Sequence, residues 1–161
     1  MGRIYTVPLS FTYTAAGGDF DLAYLKPAAE KPIKLRGFAI GQISEVGDAQ
    51  EEGIRISIIR LPATVTASSG GSSVTPAPMD SADVAAGFTA RAGDSTVTTT
   101  SGTAVTLAEY GWNERATPFT EWYPDQAFAP KAKNAEALVI RGQTTLADDA
   151  TVQVTVWVEE E

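Results

Sequence analysis

Carboxylates are the main chemical resource of this 161-residue chain, which carries 20 Asp and Glu against 12 Lys and Arg and has neither histidine nor cysteine. Those two absences remove Ser-His-Asp and Cys-His nucleophiles, imidazole as a general base, thiol redox chemistry and ordinary zinc sites. Glu45, Asp48, Glu51 and Glu52 crowd one loop, and irregular acidic loops of this kind can hold calcium. The alternating ligand order that an EF-hand closes with a glutamate is missing, so residues 45–52 read instead as a charged turn that keeps a sheet end soluble. Glu109, Glu114 and Glu121 fall beside Tyr110, Trp112, Trp122 and Tyr123, the ingredients of a glycoside hydrolase or a sugar-binding face. Hydrolysis needs two carboxyls opposed across the scissile bond, which spacing along a chain does not establish. Aromatics in a β-rich chain more often build core or subunit interface.

Gly93-Asp94-Ser95 matches the tripeptide that one lipase class uses for its nucleophile, but that chemistry needs a histidine base, and the stretch reads as a turn. The expectation is a protein that is not an enzyme, with no catalytic residue, no cofactor and no metal. A net charge of -8, with basic residues scattered singly, argues against a nucleic-acid partner. No apolar run is long enough for a membrane span, and the first residues lack the order of a signal peptide, so a soluble protein with no membrane partner is expected. Met1 to Thr6 fits the formal N-myristoylation pattern but reads more simply as the start of a strand.

The elements that must carry these residues are strands. Tyr5, Val7, Leu9, Phe11 and Tyr13 alternate with polar residues and with Pro8, which predicts a one-sided strand at a sheet edge or with a bulge. A turn at residues 15–18 and a second alternation over Phe20 to Leu25 suggest a hairpin. Ile33 to Ile43 reads as a third strand. Ile54 to Leu61 reads as a central fourth, with Ile54, Ile56 and Ile58 on one face and Arg55, Ser57 and Ile59 on the other. Asp80 to Gly87 has a capping aspartate and a closing glycine, which predicts one short helix. Further strands are expected over 88–91, 96–100, 104–110, 119–123 and 137–141. Val152, Val154, Val156 and Val158 mark the last, followed by Glu159-Glu160-Glu161 as a solvated acidic run guarding an exposed strand. The fold class predicted is all-β, an antiparallel β-sandwich of jelly-roll type with one short helix and a long flexible loop, in a single domain over 1–161. That loop is 62–79, rich in Ala, Ser, Thr, Gly and Pro. It reads either as a disordered surface loop or as an arm that orders against a neighbouring subunit.

Several stretches together resemble a family of small proteins encoded among tailed-phage and prophage structural genes. The likeness lies in Ile43 to Glu52 running into Arg55 to Arg60, in Ser69 to Ser72 with Thr75-Pro76 and Ala85 to Phe88, and in Val156 to Glu161. The resemblance implies a virion structural protein, a head decoration or cement protein on the capsid exterior, synthesised in the bacterial cytoplasm. Its implied partners are the major capsid protein and further copies of itself in a homotrimer, where closed symmetry limits association. On that reading the contact residues are Ser69, Gly70, Gly71, Ser72, Ser73, Val74 and Pro76 in the arm, with Trp112, Trp122 and Tyr123 at a subunit interface. The alternative is a carbohydrate-binding module of a head fibre or tail, with the same three aromatics as a stacking platform.

Overall fold

The computed structural model describes residues 2–14, 17–44, 52–143 and 145–161, and among them every regular element is a strand. The acidic loop, residues 45–51, lies outside the described residues, so the calcium reading has no geometry to meet. With strands numbered in chain order, one antiparallel sheet holds β1 (Arg3–Tyr13), β3 (Ile33–Gln42), β7 (Ala77–Pro78), β11 (Phe119–Trp122), β12 (Lys131–Ala132) and β14 (Ala150–Glu160). Its order is β11-β3-β14-β1-β7, with β12 also paired to β3. The second holds β2 (Phe20–Lys26), β4 (Gly53–Leu61), β6 (Ser72–Val74), β8 (Thr89–Asp94), β10 (Val105–Asn113) and β13 (Ala137–Gln143), in the order β10-β4-β13-β2-β8-β6. A small ribbon joins β5 (Val65–Thr66) to β9 (Thr99–Thr100).

Alternation explains how the two sheets make one core. Tyr5, Val7 and Leu9 of β1, Val152, Val154, Val156 and Val158 of β14 and Phe38 and Ile40 of β3 are buried together with Leu22 and Leu25 of β2 and Ile54, Ile56 and Ile58 of β4. Each such aliphatic side chain contributes about 1.5–3 kcal/mol when fully buried. Ile59 and Leu61 fall on the opposite face of β4. There they join Tyr24, Ala137 and Val139 in a second cluster, with Val65 packed against it. Pro8 lies beyond the two residues, Tyr5 and Thr6, to which β7 pairs, so its missing N–H falls on open edge, as a strand proline requires.

Three expectations need correction. β1 and β2 do not form a hairpin: β1 pairs with β14 and β7, while β2 pairs with β13 and β8, so the two strands lie in different sheets. The helix over Asp80 to Gly87 is absent. The Asp80 side chain accepts from the Ala82 N–H at 2.9 Å and its carbonyl from the Asp83 N–H at 3.0 Å, which closes one turn. Beyond it the Val84 carbonyl accepts from the Tyr5 hydroxyl, and the N–H groups of Gly87 and Phe88 donate to Glu160. A helix this short gains little beyond its costly first turn, and non-local partners outcompete it.

The 62–79 segment is likewise not a loop without structure. It runs along both sheets, with β5 on β9, β6 on β8 and β7 on β1, and Ser68 and Pro76 are buried. Asp94 anchors it. Its carboxylate accepts from the Ser68 hydroxyl at 2.5 Å, from the Gly71 N–H at 2.7 Å and from Arg91 through two nitrogens at 2.8 and 3.0 Å. Gly71 is required because a Cβ there would stand 2.0 Å from the Ala92 carbonyl oxygen. The Gly93-Asp94-Ser95 stretch therefore ends a strand with a buried anchor and is more than a turn.

Candidate interaction surface

The first sheet turns its valines, tyrosine and phenylalanine inward and presents small residues outward. Three cross-strand rows define that outer face. Thr6, Trp157, Gly37 and Trp122 are successive partners across β1, β14, β3 and β11. Pro8, Thr155, Ala39 and Thr120 form the next row, and Ser10, Gln153 and Gly41 the one after. None of these side chains is ionisable, although the chain carries 32 formal charges (20 acidic plus 12 basic).

Gly37 makes the first row possible. Lacking a side chain between two tryptophans, it lets the Trp122 ring lie over the sheet and stack on Trp157, with centroids 4.4 Å apart and planes 27° from parallel. A Cβ on Gly37 would sit 2.6 Å from the Glu121 carbonyl oxygen and 2.7 Å from the Trp122 ring. Trp122 remains 54% exposed. Beside it a cleft of about 450 Å³ is lined by Ile4, Met79, Tyr123, Pro124 and Arg36. The Arg36 guanidinium is engaged by Glu159 at 3.5 Å and by the Pro124 carbonyl at 3.1 Å. Gly37→Ala is expected to destabilise the fold by about 1–3 kcal/mol through overpacking and to displace Trp122. Denaturant unfolding would measure the first effect, and loss of the near-ultraviolet circular dichroism of the tryptophan pair the second.

The three aromatics expected at one interface do not share a surface. Trp112 is buried in the second sheet, with its Nε1–H donating to the Thr117 carbonyl at 3.3 Å. Tyr123 is buried, and its hydroxyl lies 2.7 Å from that of Tyr110. Burial and this neighbour push the Tyr123 hydroxyl far above its ordinary pKa. Only Trp122 is open. Its actual companion, Trp157, lies among the alternating valines of β14 on the polar face of the period, a position readable in the sequence but passed over.

No protein-family model matches the chain, and no curated protein does. Among solved structures, the VP2 protein of infectious bursal disease virus in derived T=1 particles is 13% identical over 98% of this chain and 40% of that one, with a TM-score of 0.21. A structure of the Gx strain of that virus is 13% identical over 94% of this chain and 42% of that one, with a TM-score of 0.13. The chain thus spans about two fifths of those solved chains.

In the arm, Ser69, Gly70, Gly71, Ser72 and Ser73 are exposed, Val74 is half-buried and Pro76 is buried. The exposed serines are thus offered on a backbone that Asp94 and β8 hold. The carboxylates beside aromatics are not brought into an opposed pair: Glu109 lies on β10 of the second sheet, ion-paired to Arg55, and Glu121 on β11 of the first. Glu114 is buried. Among the described residues no group of three or more Asp or Glu could hold a metal ion.

The acidic run at 159–161 is the largest departure from expectation. β14 is central, between β3 and β1, and Glu159 and Glu160 are each only 4% exposed. A register shift at Trp157/Val158 lets these residues leave the simple alternation. Glu159 accepts from the Gly2 N–H and faces Arg36; Glu160 accepts from Gly87 and Phe88 at 2.9 and 3.0 Å and faces Lys31. Glu161 pairs with Lys131 and Lys34, whose hydrogen bonds hold its carboxyl below the usual glutamate range. Each carboxylate has its own cation, and the cluster ties β14 to the 84–88 segment.

Proposed function

We propose that this chain is a non-enzymatic virion structural protein of a tailed phage, a head decoration or cement protein that binds the major capsid protein lattice from outside as a trimer. The observation that carries this reading is the strand order. Taking β1, β2, β3, β4, β10, β11, β13 and β14 as a series of eight, one sheet runs first-eighth-third-sixth and the other second-seventh-fourth-fifth. This order supports reading the two sheets as a jelly-roll sandwich, an architecture that viral capsid domains share with lectins and cupins. β5 to β9 are then an insertion between the fourth and fifth strands of the series. The likeness to phage structural proteins in Ile43 to Glu52 with Arg55 to Arg60, in Ser69 to Ser72 with Thr75-Pro76 and Ala85 to Phe88, and in Val156 to Glu161 points the same way.

A cement protein works by burying surface across seams between capsid subunits, so it needs rigid elements with exposed contact groups. The insertion supplies them: Ser69 to Ser73 are exposed on a backbone fixed by Asp94, so presenting them costs little ordering entropy on binding. Purified chain added to particles assembled without it should co-sediment with them to saturation. Light scattering should give a mass near three times the 17.0 kDa of one chain. Failure to co-sediment with such particles would contradict the capsid reading, and a strict monomer would contradict the trimer.

A further inference from the structure

We infer that the outer face of the β11-β3-β14-β1 sheet is a binding site for a neutral oligosaccharide, with Trp122 as its stacking platform. The inference is independent of the capsid reading, since it concerns the isolated folded chain. It starts from the chemistry a sugar ring needs. A pyranose offers a face of C–H groups, which an exposed aromatic ring covers, and a rim of hydroxyls, which neutral donors and acceptors satisfy without the cost of stripping water from an ion. Trp122 is 54% exposed and is held in place by the Trp157 ring at 4.4 Å, so its free surface is presented without rotamer entropy to lose.

The surrounding groups match the rim. Thr6 stands in the tryptophan row, Thr155 and Thr120 in the next, and Gln153 and Ser10 in the third, all on the same face by register. They supply hydroxyl and amide groups and no charge. Length is consistent too. Three rows separated by two residues each span about 14 Å along the strands, which fits a short oligosaccharide lying along β14 better than a single ring. Ala39 and Gly41 add little height beside that track.

The test is titration of the full chain with a panel of neutral linear hexasaccharides, namely maltohexaose, cellohexaose and chitohexaose, followed by tryptophan fluorescence and calorimetry. At least one should bind with a Kd of about 0.1–1 mM, and the corresponding monosaccharide more weakly. Trp122→Ala should weaken binding by about tenfold or more, Trp122→Phe by less, and Thr155→Val should weaken it while keeping the tryptophan stack visible by circular dichroism. No binding by any member of the panel at about 5 mM would overturn the inference. So would binding that survives Trp122→Ala in a protein with an unchanged melting temperature. If the native chain binds no member of the panel and Trp122→Ala lowers the mass measured by light scattering, the face is an interface between copies of this chain and the sugar site is refuted.

Discussion

Asp21→Ala is expected to lower the free energy of unfolding by about 3–5 kcal/mol, a large part of the stability of a domain this size. Asp21 is fully buried on β2. One carboxylate oxygen accepts from the Arg141 Nε at 2.7 Å and the other from the Thr98 N–H at 2.6 Å, while a second Arg141 nitrogen donates to the Thr98 carbonyl at 2.8 Å. Removing the carboxylate leaves a guanidinium only 12% exposed without its counter-ion and orphans a buried N–H. The effect should appear as a shift of the urea midpoint with little change in slope. Asp21→Asn should cost less, because its side-chain oxygen still accepts. Replacing Asp21 and Arg141 together by apolar residues should recover part of the loss. A change below about 1 kcal/mol for Asp21→Ala would show that the network is not a stabilising one.

Asp94→Ala should cost about 3 kcal/mol and act locally as well, since this carboxylate joins the inserted segment to β8. Without it the Ser68 hydroxyl, the Gly71 N–H and Arg91 lose their common acceptor, so protease cleavage within 68–76 should precede global unfolding. The same anchor makes a pH prediction with a definite sign. Burial alone would raise the Asp94 pKa, but the hydrogen bonds from Arg91, Ser68 and Gly71 outweigh it and hold the carboxyl below the ordinary aspartate value. A carboxylate with a depressed folded-state pKa contributes stability that is complete above the unfolded value, near pH 4, and is lost as pH falls through the folded value. The difference in melting temperature between the native chain and Asp94→Asn should therefore be constant from about pH 7 to pH 5 and narrow below about pH 4. Deleting 68–74 outright would be a poor probe of function, because it strips the same partners from Asp94 and uncovers the edge of β8.

Period-two alternation made much of the scaffold readable. The Ile54, Ile56, Ile58 face and the Val152 to Val158 face are where the residues predict, because one-sided burial is a local property of a strand. Pairing is not local. A turn before Phe20 suits a hairpin and a crossing between sheets equally, and the distant strands β8 and β13 decide that β2 pairs elsewhere. The order of the inserted segment comes from one buried carboxylate and short ladders, neither of which leaves a hydrophobic period in the sequence. The burial of the acidic run depends on cations, Lys31, Lys34, Arg36 and Lys131, that are distant in sequence. At the candidate surface, Trp122 was legible as a chemical group. Its setting was not, since the stack depends on Gly37 of β3 lying between a tryptophan of β11 and one of β14.

The most direct test of the proposed role is a cryo-electron microscopy reconstruction of particles assembled with and without this chain. The account predicts density for its two sheets on the outer surface of the capsid shell, in groups of three across subunit seams, present only when the chain is made. Density confined to the tail or neck, or indistinguishable shells in the two preparations, would contradict it.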